Sequence, residues 1–340
     1  MALKVDHERA RTVFDRLVAA YSRREYPFNQ PEAALPQAEE NLPRGIVLRS
    51  RQHALFLFAL CYWMRGGVES GTAARQLSRL YEGLPWIFLP ESARILDRGL
   101  LAACFSEVGL GFNARQIAAL WKMNLETLAS RWGGDPRNLF KGISTYEEAC
   151  ARIQRKGTNG FGGFQEKMVS MITYFYMDAG IVDPWNFPIP VDFHCLRQVF
   201  AHEIVVAERS DATQNGFYTK PVLAAVRALL HGHCVRHGVD PLILCNAVWL
   251  YSGLMCNQHP GNISIVPKER NGRSTKIVPV PRWTAAQTRA FDRTCRICVV
   301  RDTCHWCVPS APYYIGGRIE LRSMRDEPPQ QSLFPLLTDH

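Results

Sequence analysis

Apolar residues recur along this 340-residue chain at intervals of three and four positions, whereas strict alternation of apolar and polar residues is rare. One series is Leu77, Leu80 and Leu84, and a second is Leu96, Leu100, Leu101 and Phe105. Intervals of three and four place side chains on one face of an α-helix. The chain is therefore predicted to be mostly α.

The length and the 47% content of hydrophobic residues allow one large core or two smaller ones. The longest apolar run, "ALFLFALCYWM" from Ala54, is about half as long as a membrane span and predicts a buried helix. No secretory signal is visible at the start of the chain. We therefore expect a cytoplasmic protein without a membrane partner, and a monomer. The net charge of +9 favours a polyanionic partner.

Predicted helix starts and glycine- or proline-rich breaks divide the helical pattern into segments. "STYEEA" places Ser144 three residues before Glu147, which predicts a capped helix start at Ser144. Glycine- and proline-rich breaks fall near 156–163, 180–191 and 257–283, and the last of these is basic.

The segment from Gly160 to Phe200 carries the most chemical information. It runs from a glycine-rich turn through a helix, breaks at Pro184 and Pro188, and delivers Asp192 just before another helix. A carboxylate after "PIPV" lies at a helix N-terminus, where backbone amides stabilise its charge. From this spacing alone, a role as a helix cap is enough to explain Asp192.

"IPVDFH" resembles the turn that carries the catalytic aspartate in helix-hairpin-helix DNA glycosylases. The likeness extends to Phe164 and Lys167, whose distance from "FPIPVD" is similar to that in archaeal 8-oxoguanine glycosylases. The resemblance implies a two-lobed helix-hairpin-helix DNA glycosylase fold, with Asp192 as the catalytic carboxylate and Lys167 as a second catalytic candidate. It also implies that the hairpin binds double-stranded DNA through Gly160, Gly162, Gly163 and Gln165.

The chain departs from the archaeal branch in two places. Gly160 stands where that branch has a Schiff-base lysine. The missing amine favours a monofunctional hydrolase, and Lys156 or Lys167 is the alternative amine. The base pocket implied by the resemblance contains Trp249, Cys245 and Met64, and the last two replace hydrogen-bonding groups. The sequence therefore does not predict 8-oxoguanine as the substrate. Trp249 is equally consistent with a core residue.

Four cysteines, Cys295, Cys298, Cys304 and Cys307, lie within thirteen residues. Zinc sites favour two cysteine pairs that are further apart, whereas iron–sulfur clusters accept close spacing. "CRICVVRDTC" resembles the last three cluster ligands of the endonuclease III branch, and Cys256 stands where a first ligand would. The resemblance implies a [4Fe-4S] cluster on Cys256, Cys295, Cys298 and Cys304. Cys307 is the alternative fourth ligand, and zinc is the alternative metal.

These features predict an N-terminal helix and linker over 1–44, a glycosylase core over 45–255, and a basic insertion with an iron–sulfur loop over 256–310. A flexible tail follows over 311–340. Its "QQSLF" at Gln330–Phe334 resembles the peptide that binds the bacterial sliding clamp, with Gln331 in place of the usual leucine. The predicted function is a nucleoid-associated DNA glycosylase. The alternatives are a non-catalytic nucleic-acid-binding iron–sulfur protein and a salvage hydrolase of modified nucleosides.

Overall fold

The computed structural model describes residues 3–64, 70–109, 114–156, 160–207, 220–256, 264–267, 275–278, 296–304, 313–315 and 318–320. Helices dominate this part of the chain, which confirms the predicted mostly α class. The helices are α1 (His7–Ser22), α2 (Arg51–Trp63), α3 (Ser70–Gly83), α4 (Arg98–Glu107), α5 (Ala114–Trp132), α6 (Tyr146–Ile153), α7 (Glu166–Asp178), α8 (Phe193–Ala201), α9 (Lys220–His237) and α10 (Pro241–Tyr251). No described helix is long and apolar enough to span a bilayer.

The strands are short and pair in antiparallel twos. They are β1 (Leu3–Val5) with β2 (Val205–Ala207), β3 (Ser264–Pro267) with β4 (Thr275–Val278), and β5 (Tyr313–Ile315) with β6 (Arg318–Glu320). The β3–β4 pair lies in the basic insertion, where the sequence did not predict strands.

The chain forms two compact units, Met1–Ala33 with Val191–His340, and Ala34–Pro190. We call them the Asp192 unit and the hairpin unit. In the Asp192 unit, α1 packs against α10, and the β1–β2 pair ties the N-terminus to the segment after α8.

The hairpin unit is built around α2, which is the predicted buried helix. All residues from His53 to Trp63 are buried, and α2 packs against α3 and α7. Its last residue, Trp63, contacts the Trp121 ring at 5.1 Å and the Phe105 ring at 4.8 Å, measured between ring centroids. Aromatic contacts of this kind stabilise a core beyond the area they bury.

The predicted helix start after 144 is correct in kind and wrong by one residue. Thr145 is the N-cap of α6, and Glu148 completes the capping box with it. Glu148 also accepts a hydrogen bond from the Ser144 amide at 3.0 Å. The sequence "STYEE" contains two overlapping boxes, and the one that places Glu148 within reach of both amides is formed.

Candidate functional site

Asp192 ends the proline-rich break and caps α8. Its Oδ1 accepts hydrogen bonds from the amides of His194, at 2.8 Å, and Cys195, at 3.2 Å. No described residue donates a hydrogen bond to the second oxygen, Oδ2. The carboxylate is half-buried. One oxygen of the carboxylate is therefore fixed by the helix.

A buried arginine lies on the same helix. The Arg197 side chain is 7% exposed, and its Nη1 donates to the carbonyl oxygen and to Oγ of Ser252, both at 3.1 Å. Burial lowers the pKa of Arg197, and the nearby charges of Cys256 and Asp192 oppose that shift. A guanidinium stays protonated in proteins, so Asp192 has a permanent positive charge nearby.

Trp249 reaches the start of α8 through His194. The His194 ring lies 5.5 Å from the Trp249 ring between centroids, at an interplanar angle of 62°, and its Nδ1 is 3.0 Å from Ser252 Oγ. Trp249 is half-buried, and Cys245, one turn earlier in α10, is buried. The structure thus brings Trp249 close to the helix that Asp192 caps. Met64 follows α2 in the hairpin unit and is half-buried there.

Two glycines shape the segment that joins α6 to α7. At Gly160, whose φ is +75°, a Cβ would overlap the carbonyl oxygen of Gln154, so this position requires glycine. At Gly162, a Cβ would meet the ends of the Met123 and Leu120 side chains, which would have to shift.

Asn124 of α5 fixes this turn. The Gly162 amide donates to Asn124 Oδ1 at 2.7 Å, and Asn124 Nδ2 donates to the Gly162 carbonyl oxygen at 3.0 Å. Asn124 is fully buried. A paired donor and acceptor on one buried side chain hold the turn in one conformation.

The start of α7 carries charges of both signs. Gln165 is the N-cap and its side chain makes no capping hydrogen bond, and Glu166 places a carboxylate in the first turn. Lys156 and Gln165 are exposed, and Lys167 is half-buried. Helix N-termini with nearby basic side chains suit phosphate groups.

Two of the candidate metal ligands, Cys256 and Cys298, lie near the ends of α8 and α10. Cys256 closes a π-helical turn, Ser252–Cys256, and Gln198 Nε2 lies 3.5 Å from its Sγ. The Tyr251 hydroxyl lies 3.1 Å from Cys298 Sγ and accepts from the Val299 amide at 2.9 Å. Burial raises the pKa of Tyr251, which keeps it a hydrogen-bond donor to sulfur.

Donors of this kind, directed at sulfur, are the surroundings that cluster-bound thiolates have. Cys256 and Cys298 therefore have surroundings that would suit cluster-bound thiolates. Cys304 follows the short helical turn Arg301–Thr303, and Cys295 and Cys307 lie outside the described residues. Within the described ranges, no three His, Cys, Asp or Glu side chains converge as metal ligands. The four-cysteine ligand set stays a prediction.

Sequence reasoning did not identify His194, Arg197, Ser252 and Asn124. Arg197 had a signal, because a charged residue on the apolar pattern of α8 must be buried with partners. Asn124 had none, since it is 38 residues from Gly162 in the chain.

Neither a protein-family model nor a curated protein matches this sequence. Among solved structures, a thermostable thymine-DNA glycosylase is similar over 88% of this chain and 97% of its own, at 12% identity and a TM-score of 0.47.

Proposed function

We propose that the protein is a DNA base-excision glycosylase that hydrolyses the N-glycosidic bond of an extruded damaged or modified base. The observation that carries the proposal is the arrangement at Asp192. Its carboxylate is fixed through Oδ1, accepts no hydrogen bond at Oδ2 from the described residues, and lies near the buried Arg197. A helix cap alone requires neither the arginine nor the aromatic rings beside it.

The chemistry follows from the charge of the carboxylate. As the bond from C1′ to the base nitrogen breaks, the electron pair leaves with the base and positive charge develops on the sugar. Asp192 stabilises that charge and orients a water, whose oxygen bonds to C1′ while the carboxylate takes up its proton; the departing base is protonated from solvent. Arg197 holds Ser252, the residue that follows α10, against α8.

The turn between α6 and α7 is the proposed DNA contact. Gly160, Gly162 and Gly163 let the backbone approach a strand closely, and the first-turn amides of α7 face a phosphate. Lys156 and Lys167 add charge that makes binding depend on salt. Extruding a base costs a few kcal/mol, and less for a damaged or mismatched pair.

Because Gly160 offers no amine, the proposed enzyme is monofunctional. Its product should be an intact abasic strand that breaks only in hot alkali, and borohydride should trap no protein–DNA adduct. An adduct that disappears in Lys156→Ala or Lys167→Ala would contradict this and identify the amine.

We also propose a [4Fe-4S] cluster on Cys256, Cys298, Cys304 and Cys295, with Cys307 as the alternative ligand and zinc as the alternative metal. When bound, the group supplies local folding stability rather than a step of hydrolysis. Gln198 and Tyr251 donate towards two of these sulfurs.

The proposed clamp peptide, Gln330–Phe334, lies outside the described residues. Leu333 and Phe334 would fill an apolar pocket and Gln330 a polar subsite, which suits tethering with an affinity of about micromolar. Fluorescence anisotropy of a 325–340 peptide with a purified bacterial clamp tests this. Binding that is absent at about 100 µM, or unchanged by Leu333→Ala with Phe334→Ala, would exclude the clamp.

The function itself is tested on a panel of lesion-bearing duplexes and free modified nucleosides. Wild type should release a base from at least one duplex, and Asp192→Asn should not. Release from nucleosides alone would indicate the salvage hydrolase. Two equally inert proteins that bind duplex would indicate the non-catalytic binding protein.

A further inference from the structure

Phe193, the first residue of α8, differs from the rest of its helix. It is 37% exposed, whereas every other residue of α8 is buried. Single exposed apolar side chains are common and carry no meaning alone. What distinguishes Phe193 is its position directly after Asp192 and the way its ring is held.

Two buried side chains hold the Phe193 ring. The His194 ring lies 3.9 Å from it between centroids, tilted by 35°, and Arg197 Cζ is 5.4 Å from its centroid. A guanidinium near an aromatic ring is attracted to the face of that ring. The ring is thus fixed on its inner side while part of it remains open to solvent.

Ser252 fixes both supporting side chains. Because Arg197 carries only donors, Ser252 Oγ accepts a hydrogen bond from it, and the same hydroxyl is hydrogen-bonded to His194 Nδ1. The imidazole packs between the rings of Phe193 and Trp249.

We propose that Phe193 is a nucleobase-stacking residue of the Asp192 site, held in place by His194 and Arg197. This inference rests on the proposed function in taking an extruded base as the ligand. Bases stack on aromatic rings whatever their sequence, because every base has a π-face. A ring that is already fixed loses little freedom on binding. Phe193 directly follows Asp192 in the chain, so a base stacked on its ring would lie at the helix start that carries the proposed catalytic carboxylate.

A photocrosslink tests the contact without relying on catalysis. The Asp192→Asn protein, in full length, is irradiated with a duplex that carries 5-iodouracil opposite guanine. This base forms a covalent bond with an aromatic ring stacked on it. The tryptic peptide Met168–Arg197 should carry the adduct, and fragmentation should locate it at Phe193. Phe193→Leu in the same background should abolish it.

Tyr26→Leu is the matched control, because Tyr26 belongs to the same unit and is 38% exposed. It should leave the adduct unchanged. An adduct located at another residue, one that persists in Phe193→Leu, or no adduct with the duplex would overturn the proposal. An adduct at Phe193 in a protein that cleaves no lesion would overturn the glycosylase function and leave the stacking role intact.

Affinity gives a second measure. Phe193→Leu should weaken binding of the same duplex by about 5- to 150-fold, the range expected for losing one base–aromatic stack. Phe193→Trp should restore binding to within about twofold, since it keeps a π-face. Equal binding of the duplex by the parent protein, Phe193→Leu and Phe193→Trp would contradict stacking. Equal urea midpoints of unfolding for the three proteins would show that the fold is unchanged.

Discussion

Helices α8 and α10, both in the Asp192 unit, begin in the same way. Asp192 caps α8 through the amides of His194 and Cys195, and Asp240 caps α10 through the Leu242 amide at 2.8 Å. Both aspartates have extended backbone conformations, as N-cap residues usually do. At the level of the cap, the two helix starts are equivalent.

They differ in what surrounds the carboxylate. Asp240 is exposed, and the first turn of α10 is apolar, beginning with Pro241. Asp192 is half-buried, and the buried Arg197 is close enough for the two charges to interact. Capping explains an aspartate at either position. It does not explain why only one of the two helices carries a buried arginine, and this difference is what favours a chemical role for Asp192.

The largest expected effect is a difference between Asp192→Asn and Asp240→Asn in the rate of base release. Asn caps a helix about as well as Asp, so Asp192→Asn and Asp240→Asn should each change the free energy of unfolding by less than about 0.5 kcal/mol. The Asp192→Asn protein should nevertheless release base about 10²- to 10³-fold more slowly in single-turnover assays, because it lacks the negative charge. Asp240→Asn should match wild type within about twofold. Equal rates for both variants would leave Asp192 as a cap only.

The second prediction concerns the other ends of the same helices, where the two do resemble each other. Gln198 of α8 lies near Cys256, and Tyr251 of α10 lies near Cys298. Anaerobically purified wild type should contain about four irons per chain and absorb visible light. Cys298→Ser should lose most of that iron and become less soluble, because a local fold loses the metal that helps form it.

Cys104→Ser is the control for that experiment, since Cys104 is half-buried in α4 of the hairpin unit. It should keep full iron. Stoichiometric zinc and no iron in the wild-type protein would replace the cluster with the alternative metal. Full iron in Cys298→Ser would remove Cys298 from the ligand set.

The sequence predicted where helices start better than it predicted the side-chain contacts around those starts. "PIPVD" predicted a capping aspartate because proline excludes the preceding residues from a helix, and Asp192 is indeed the cap. The predicted breaks near 156–163 and 180–191 also fall between helices. These features depend on residues within a few positions of each other, so local rules suffice.

The contacts at Asp192 and the contacts that hold the turn before α7 both span long stretches of chain. His194 reaches Ser252 across 58 residues, and Asn124 reaches Gly162 across 38. Such pairs depend on how helices pack, and a single sequence gives no register for that packing. The pattern could place Trp249 on an apolar helix, but only the fold shows that the helix faces α8.

The third prediction concerns Arg197, the buried arginine that distinguishes the helix of Asp192 from that of Asp240. Arg197→Met keeps most of the side-chain volume but leaves the Ser252 oxygens without their charged donor. We expect a loss of about 2–3 kcal/mol in the free energy of unfolding, measured with urea. Arg236→Met, at an exposed position of α9, should change it by less than about 0.5 kcal/mol. An Arg197→Met protein as stable as wild type would show that the buried arginine is not needed for the fold.

The smallest expected effect is the change in stability with pH caused by His233 of α9, the helix that precedes Asp240. Measuring it distinguishes acid unfolding from a loss of the chemistry at Asp192. His233 is buried against Phe14 of α1, and its Nε2 is 3.4 Å from Asp15 Oδ1. Burial lowers the pKa of His233 to about 4; Asp15 opposes the shift, and His237, Arg236 and Arg11 add to it.

A histidine whose pKa is lower in the folded state is neutral there and takes up a proton on unfolding, so it destabilises the fold as pH falls. The loss begins near the unfolded pKa of about 6.5 and is complete below about 4. Between pH 7.5 and pH 5 we expect wild type to lose about 1–2 kcal/mol from this residue, measured as urea unfolding at each pH. His233→Gln should flatten that part of the stability curve while leaving the rate of base release per folded molecule unchanged. If the slope persists in His233→Gln, the acid sensitivity arises elsewhere, and an acid loss of activity could then be assigned to the Asp192 end of the unit.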